Sequence, residues 1–372
     1  MANKAYKFRI YPNAEQRISF AKTFGCVRLV YNYCLDRKIK QYQADKSTVS
    51  YTQCANEIAK MKKTEDFHFL SEVDSISLQQ SLRHLDTAFQ NFFRSPKVGF
   101  PKFKSKKSNR RSYTTNCVNG NISLADGQLK LPKIGFVKIK QHRQIPEDYT
   151  LKSVTVSQTP SGKYYASILY EYEAETPQII PESFIGLDFS MPELYVDSNG
   201  FEPRYPRYYR QTENKLAREQ RKLSHMQKGS NNRNKQRIKV AKLHEKVSNQ
   251  RRDFLHKQSR QITNAYDCVC IEDLDMKTMS GALHFGKSVS DNGWGMFTTF
   301  LQYKLSEAGK QLIKVDKFFP SSQLCSACGC KNPETKNLSI RAWTCPTCGI
   351  SHNRDVNAAI NIKNEGMRLV FA

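Results

Sequence analysis

Four cysteines near the C-terminus constrain the fold of this chain most strongly. They form two Cys-x₂-Cys pairs separated by 16 residues, Cys325 with Cys328 and Cys345 with Cys348. Each pair fits a knuckle turn that brings two thiolates to one metal ion, and a glycine follows each pair where such a turn needs a permissive backbone. Four thiolates predict zinc in a closed structural site, which stabilises a fold and leaves no position for a substrate.

The other seven cysteines are scattered among mostly apolar neighbours. That distribution is typical of buried thiols in a reducing compartment and not of a disulfide framework. Cys330, two residues beyond Cys328, is the one that competes as a zinc ligand. Ile340 and Trp343 are predicted to form the small core of a hairpin around the metal.

The net charge of the chain limits its partners. Its 372 residues carry 59 Lys and Arg against 34 Asp and Glu, a formal net charge of +25. Because basic side chains release counterions when they neutralise phosphates, this surplus predicts a polyanionic partner. The chain could then be a specific enzyme that acts on nucleic acid or a general RNA-binding protein. There is no run of 18 apolar residues and no apolar leader in MANKAYKFRI, which predicts a cytoplasmic protein without a membrane partner.

The order of predicted elements divides the chain into parts. A strand at 3–12 precedes a helical bundle at 13–95, and β-rich runs follow, so the first strand is predicted to join a β domain with the helices inserted. Beyond residue 181 two strands, two helices and a buried strand at 267–274 are predicted. A glycine- and serine-rich loop at 280–293 then leads through a helix and a strand to the cysteine pairs.

Two segments concentrate positive charge. Residues 94–112 hold eight basic residues and no acid, and the piece FPKFK mixes phenylalanines into that charge. Residues 204–260 hold 18 Lys and Arg against four acids, at a spacing that predicts two long helices. The first segment is either a nucleic-acid groove or a plain basic linker; the helices either line a nucleic-acid channel or present solvated faces.

Three carboxylates stand at the ends of predicted elements. Asp188 and Glu272 each end an apolar strand, and Asp355 opens a helix. Each one alone is commonly a turn residue or a helix cap, but in a chain that binds a polyanion three of them can hold two Mg²⁺ ions, one activating a water and the other stabilising the leaving oxygen of a phosphodiester. Asp273 and Asp275 are rivals of Glu272, because strand alternation does not say which acid faces the site.

The same motifs, taken in order, resemble a known family. FIGLDFS, VCIEDL, the cysteine pairs and NRDVNAAINI follow one another as in the RuvC-like half of TnpB, the transposon-encoded RNA-guided DNA nucleases related to miniature type V CRISPR effectors. The start YKFRIYPN, the segment GCVRLVYNYCLDRK, and LQQSLRHLDTAFQNFFR before FPKFKSKK resemble the N-terminal half of that family. The resemblance therefore spans nearly the whole chain.

The resemblance implies an architecture of α/β and β-barrel parts. The implied parts are a wedge β-barrel domain at 1–12 and 96–180, a helical recognition domain at 13–95, an RNase H-like RuvC nuclease domain at 181–321 and 353–372, and a zinc-ribbon insertion at 322–352. It also implies a guide RNA from the transposon end and cleavage of double-stranded DNA beside a short transposon-adjacent motif. The setting would be the prokaryotic cytoplasm or nucleoid, with a monomer favoured.

Residue roles also follow from the resemblance. It makes Asp188, Glu272 and Asp355 the catalytic, magnesium-binding triad and the four paired cysteines the zinc ligands. It places phosphate contacts at Arg354 and Asn357. The implied contacts to the adjacent DNA motif are Tyr51, Gln80, Thr115 and Asn116.

Two other functions remain open at this point. An RNA-guided DNA-binding repressor that has lost cleavage is expected to lack one or more of the three carboxylates, and all three are present. A DNA transposase could use the same triad for strand transfer. The length of the TnpB resemblance and the two long basic helices favour the RNA-guided endonuclease.

Overall fold

A computed structural model describes residues 1–108, 111–174, 179–276, 291–337 and 339–372. The glycine- and serine-rich loop predicted at 280–293 lies outside these residues up to position 290. The chain divides into two compact units, Met1–Ala174 and Glu175–Ala372. None of the helices in the described residues is long and apolar enough to cross a membrane.

The first unit begins with strand β1 and three helices whose starts are set by capping side chains. They are β1 (Ala2–Tyr11), α1 (Ala14–Asp45), α2 (Tyr51–Met61) and α3 (Ser75–Arg94). Asn13 with Gln16 and Ser50 with Gln53 form capping boxes, which satisfy backbone N–H groups that lack helical partners. The Asp74 carboxylate caps α3. The helices predicted between residues 13 and 95 are therefore present.

A seven-stranded antiparallel sheet completes the first unit. Its further strands are β2 (Arg111–Asn116), β3 (Ser123–Ala125), β4 (Gln128–Leu131), β5 (Gly135–Lys140), β6 (Thr150–Gln158) and β7 (Tyr164–Tyr172). The order is β2-β6-β7-β1-β5-β4-β3, so β1 joins the strands that follow the helices, as predicted. Because β2 and β3 are both edges among the described residues, the predicted β-barrel is present here as an open half-barrel sheet.

The helices and the sheet of the first unit share one hydrophobic core. Phe8 from β1, Phe20 from α1 and Leu78 from α3 belong to the same buried cluster as Val154 of β6. The Ser81 hydroxyl donates to the carbonyl of Val27 over 2.6 Å, which fixes α3 against α1. The predicted boundaries at 12/13 and 95/96 therefore divide the sequence without separating two cores.

The second unit is built on a four-stranded sheet of order β11-β10-β8-β9. Its elements are β8 (Phe184–Ser190), β9 (Leu194–Asp197), α4 (Tyr208–His225), α5 (Asn231–Ala265), β10 (Cys268–Glu272), α6 (Trp294–Glu307), β11 (Gln311–Val315), β12 (Ala342–Thr344), β13 (Ser351–Asn353) and α7 (Arg354–Phe371). Strands β8, β10 and β11 are parallel, and β9 is antiparallel to β8. The last helix is longer than the predicted 355–364.

Helices cover both faces of this sheet, and two glycines allow α7 to lie very close to it. Ile185 and Leu187 pack on one face with residues of α5 and α6, so strand alternation turns Gly186 to the other face, under α7. A Cβ added at Gly186 would lie 2.0 Å from the carbonyl oxygen of Ala359, and one at Gly366 would lie 2.2 Å from Cys270 Sγ. This close contact fixes the position of α7 on the sheet.

Candidate active site and metal centre

Strand register brings the first two carboxylates side by side. Leu187 of β8 pairs with Ile271 of β10, so Asp188 and Glu272 are the next residues at the carboxyl ends of adjacent parallel strands. Neighbouring strands lie about 4.8 Å apart. Alternation turns both side chains to the face that α7 covers, because Gly186 and Cys270 two residues earlier already contact that helix.

The same alternation separates the two rival acids from Glu272. Asp273 turns to the opposite face, where its carboxylate forms an exposed ion pair of 2.8 Å with Lys314 of β11. Asp275 is exposed beyond the end of the strand. The structure therefore favours Glu272 as the acid that shares a face with Asp188.

The third carboxylate lies in the first turn of α7. The side chain of Asn353 caps this helix by accepting from the backbone N–H groups of Asp355 and Val356. Asp355 also forms an ion pair with Arg341, whose Nη1 lies 3.1 Å from Oδ2. A carboxylate in this position gains from the positive end of the helix dipole.

The pKa of Asp188 reports the two other carboxyl groups nearby. Burial raises the pKa of Asp188 well above its ordinary value, and the negative charges of Glu272 and Asp355 raise it further, while the Arg354 guanidinium acts in the opposite direction. Burial also raises the pKa of Glu272. The hydroxyl of Ser321 donates to Glu272 Oε1 over 2.5 Å and offsets part of that effect.

The residues fit divalent cations that keep water in their coordination shell. Burial raises the pKa of both Asp188 and Glu272, and the neighbouring acids raise that of Asp188 further, so a bound cation would supply compensating positive charge. Among the described residues, only the four paired cysteines form a group of three or more metal-ligating atoms within 4.8 Å of one another. The three carboxylates therefore form an open arrangement, which suits Mg²⁺ with bridging waters better than a dry site made only of protein ligands.

The four paired cysteines form a closed site. Two Sγ–Sγ distances, from Cys325 to Cys348 and from Cys328 to Cys345, are 3.6 Å. A tetrahedral ion with bonds of about 2.3 Å to sulfur requires separations of about 3.8 Å, so the thiolates fit zinc. Backbone N–H groups of Cys348 and Thr347 hydrogen bond to Cys345 and lower the pKa of its thiol to about 6.

The surroundings of the cysteines agree with the predicted ribbon hairpin. β12 and β13 pair as a two-stranded ribbon, and Ile340 and Trp343 pack with the cysteines as its small core. Cys330 lies outside the group of four; its sulfur accepts a hydrogen bond from Thr347 over 2.9 Å. Cys330 is therefore not a member of the group of four cysteines that could hold the metal.

Asparagines of α7 join the cysteine ribbon to the carboxylate site. The Asn357 carboxamide is buried; it accepts from the backbone N–H of Ser326 and donates to the carbonyl of Leu324. Asn361 donates to the carbonyls of Ser321 and Leu324, both over 2.7 Å. These contacts favour a structural role for Asn357 over the expected phosphate contact.

Sequence reasoning named Asn357 for a phosphate contact and missed Asn353, Asn361, Ser321 and Arg341. Asn353, Asn357 and Asn361 recur at steps of four on one helix, and that periodicity was the available signal. No pattern in the sequence marks Ser321, which holds Glu272, or Arg341, which pairs with Asp355. Both come from connecting segments and reach the site only through tertiary structure.

Arg354 contacts the backbone of Arg341 and also lies close to the carboxylate site. Its residue is buried, its backbone N–H donates to the carbonyl of Arg341 over 2.8 Å, and its guanidinium lies close enough to lower the pKa of Asp188. Its Nε is buried without a hydrogen-bond partner. Arg354 is therefore linked to Asp188, and its phosphate contact stays a prediction.

The four expected DNA-motif contacts all lie in the first unit. Thr115 is fully buried and donates to the Asp74 carboxylate over 2.6 Å, so its hydroxyl serves the N-terminal cap of α3. Tyr51 and Gln80 are partly exposed on α2 and α3, with the Arg83 guanidinium 5.4 Å from the Tyr51 ring. Asn116 is partly exposed at the end of edge strand β2.

Three family profiles match the chain in succession. The profile described as a helix-turn-helix domain matches residues 1–47, which hold β1 and the single helix α1. The profile of IS605 OrfB, described as "Probable transposase", matches 167–283 and spans Asp188 and Glu272. The Cas12f1-like TNB domain profile matches 294–362 and spans the cysteines and Asp355.

Similar proteins match over almost the whole chain. A Streptomyces pristinaespiralis protein provisionally named an RNA-guided DNA endonuclease is 38% identical over 98% of this chain and 89% of its own length. The Escherichia coli K12 protein InsQ, provisionally named in the same way, is 33% identical over 98% of this chain and 92% of its own.

The fold is shared with solved structures, one of which is a Cas12f1 complex. The Cas12f1 chain from a cryo-EM structure with single guide RNA and target DNA matches with a TM-score of 0.56, covering 98% of this chain and 99% of that one. The sequence identity is 15%, so this likeness concerns the fold alone.

Proposed function

This chain belongs to the TnpB family of nucleases, which includes IS605 OrfB, and from that premise we propose that it is a Mg²⁺-dependent, RNA-guided endonuclease that cleaves double-stranded DNA beside a short motif. The guide RNA would come from the transposon end. Guide pairing would supply sequence specificity, while the protein reads the shape of the RNA–DNA heteroduplex and a short duplex motif.

The single observation that carries this proposal is that strand register and the packing of α7 bring three carboxylates remote in sequence to one face of the sheet. Glu272 and Asp355 both raise the pKa of Asp188 across separations of 84 and 167 residues along the chain. A structural role for one buried acid is common, but a buried Asp188 beside two further acids costs stability without a cation. Function explains why such an arrangement is kept.

Each residue has a proposed part in the reaction. When bound, Mg²⁺ would supply an activated water and stabilise the charge of the leaving oxygen. Asp188, Glu272 and Asp355 would hold the ions, Ser321 would orient Glu272, and Arg354 would balance negative charge beside Asp188. The four paired cysteines would hold zinc, which fixes the ribbon against α7 and so the approach to Asp355.

Nucleic-acid contacts are proposed for both units. In the first unit Tyr51, Gln80 and Asn116 would contact the adjacent DNA motif, with Thr115 positioning α3 through Asp74. The long basic helices α4 and α5 would lie along the backbone of the nucleic acid, because their Lys and Arg residues far outnumber their acids.

Plasmid cleavage with and without RNA tests the proposed function. RNA that co-purifies with the full chain is sequenced and its guide part is matched to a plasmid target flanked by randomised sequence. We expect cleavage only with matched RNA, only beside a subset of flanks, and not with Asp188→Asn. RNA-dependent binding without cleavage by the wild type would indicate a repressor, and strand-transfer products without RNA would indicate a transposase; either result overturns the proposal.

A further inference from the structure

Four phenylalanine rings form an exposed cluster at the end of α3 and in the segment after it. We call Phe89, Phe92, Phe93 and Phe100 the phenylalanine cluster. The Phe100 ring lies edge-on to Phe89 and Phe92 at 5.5 Å from each, and Phe93 stacks on Phe89 at 6.3 Å. Phe93 is 76% exposed and Phe100 45% exposed. Large apolar groups that cluster at a surface often mark an interaction site, whereas apolar residues exposed singly are ordinary.

The cluster is held in one arrangement before any partner binds. Phe89 packs against the core of the first unit. Downstream, the Asn32 carboxamide of α1 pairs with the backbone of Lys104, accepting from its N–H over 2.8 Å and donating to its carbonyl over 2.9 Å. The Lys104 ammonium lies 3.8 Å from the centre of the Tyr31 ring. Rings fixed in this way lose little freedom on binding.

Positive charge surrounds the rings. Residues 94–107 include six Lys and Arg and no acid. The nearest acid on α3, Asp86, is already paired with Lys38 over 3.1 Å. A partner that matches this surface needs negative charge together with flat apolar groups, and unpaired nucleotides supply both.

We propose that the phenylalanine cluster stacks on unpaired bases of the target DNA, while the lysines of 97–107 bind the phosphates beside them. The assignment to DNA rests on the proposed function, in which Gln80 of the same helix contacts the adjacent motif. From Gln80 to Phe92, 12 residues at about 1.5 Å each place the rings about 18 Å farther along α3. That length equals about five base steps of 3.4 Å. The rings would therefore lie beside the part of the target next to the motif, where the duplex must open for the guide to pair.

Equilibrium binding to labelled oligonucleotides tests this proposal without cleavage. The full chain carrying Asp188→Asn is titrated into fluorescein-labelled oligo-dT, the matching dA–dT duplex and oligo-U of equal length, and the anisotropy is followed. Adding Phe93→Ala should weaken oligo-dT binding about 5- to 150-fold, the loss of one stacked base, and leave duplex binding unchanged. Phe93→Trp should retain oligo-dT binding, whereas Phe93→Leu should not, because stacking needs a ring.

A matched control separates the cluster from exposed aromatics in general. Phe136 is 60% exposed and lies opposite Lys130 in the sheet, but is no member of the cluster. Phe136→Ala should leave oligo-dT affinity unchanged. Three results would each overturn the proposal. They are an equal loss of oligo-dT affinity for Phe136→Ala and Phe93→Ala, wild-type oligo-dT affinity of the Phe93→Leu chain, and a larger loss of affinity for oligo-U than for oligo-dT in Phe93→Ala. Because the readout is binding by a cleavage-deficient chain, its failure is distinct from absence of nuclease activity.

Discussion

The cysteine site and the carboxylate site of the second unit differ in how their residues are brought together. The cysteines lie within 23 residues of one another, and their ligand atoms are within 4.8 Å. The carboxylates span 167 residues and meet only through strand register and the packing of α7. Short spacing therefore yields a compact group of thiols that could hold a metal, while assembly across the fold brings together acids that raise the pKa of Asp188.

This difference has a physical consequence for stability. A closed thiolate site joins local segments, so its metal contributes directly to the fold of the ribbon. The carboxylate site opposes folding until cations bind, because burial and two neighbouring acids raise the pKa of Asp188. The predictions below test this contrast, beginning with the largest effect.

Removing a zinc ligand should have the greatest effect. Cys345→Ser should abolish zinc binding, whose free energy in small zinc domains is about 10–16 kcal/mol, and unfold the ribbon and the Asn357 contact to it. Zinc per chain, measured by mass spectrometry, should fall to zero and cleavage should be lost. Cys330→Ser is the matched control and should keep both; full zinc content in the Cys345→Ser chain would refute the closed site.

Neutralising a carboxylate should separate activity from stability. Asp188→Asn should reduce cleavage by about a thousandfold or more, since metal-ion catalysis supplies several kcal/mol of transition-state stabilisation. In magnesium-free buffer the same change should raise the Tm, because it removes a charge that burial and neighbouring acids destabilise. A lower Tm for the metal-free variant, measured by calorimetry, would contradict the electrostatic part of this account.

The pH dependence of that stabilisation has a definite sign. Because the folded protein holds the Asp188 proton more tightly than the unfolded chain does, the free energy of unfolding falls as pH rises above the ordinary aspartate pKa of about 3.9. The fall ends once the raised pKa is passed. The Tm of the wild type relative to Asp188→Asn should therefore drop from about pH 4 upward, and a constant difference would argue against the raised pKa.

Filling the contact between α7 and the sheet should have an intermediate effect. Gly186→Ala places a methyl group against the backbone of α7, and overpacking of this kind costs about 1–3 kcal/mol. The Tm should fall by about 2–4 °C for each kcal/mol, and cleavage should fall because Asp355 is displaced. Gly295→Ala in α6, where an added Cβ meets nothing within 4 Å, should change neither.

The smallest effect is expected where the two sites touch. Arg341 of the ribbon pairs with Asp355, but its side chain is 67% exposed, so Arg341→Ala should change the free energy of unfolding by less than about 1 kcal/mol. Losing this competing cation should tighten Mg²⁺ binding by up to about fivefold, measured by isothermal titration. Lys336→Ala removes an exposed ribbon charge as the control; equal effects of both variants would show a general change in charge.

The parts of the molecule that were predictable from sequence are those fixed by local pattern. The cysteine spacing predicted the group of four, and helical periodicity predicted the helical bundle at 13–95 in which α1, α2 and α3 lie. Apolar runs ending in acids gave the strands that carry Asp188 and Glu272. In each case a few neighbouring residues determine the structure.

What could not be predicted depends on distant pairing. Closure of the first sheet depends on whether β2 meets β3, and no local signal reports that they remain edges. Thr115 became buried because its hydroxyl reaches Asp74, 41 residues away. The choice between Glu272 and Asp273 required the position of α7, which depends on tertiary packing such as that at Gly186 and Gly366.

Counting divalent ions at the carboxylates tests the central claim most directly. The zinc-loaded full chain is titrated with Mn²⁺ in place of Mg²⁺ and followed by electron paramagnetic resonance. Two spin-coupled ions per chain, about 3.5–4 Å apart, are predicted for the wild type, and at most one uncoupled ion for Asp188→Asn. A wild-type spectrum without coupling, or the same spectrum from both proteins, would contradict a shared site of Asp188, Glu272 and Asp355.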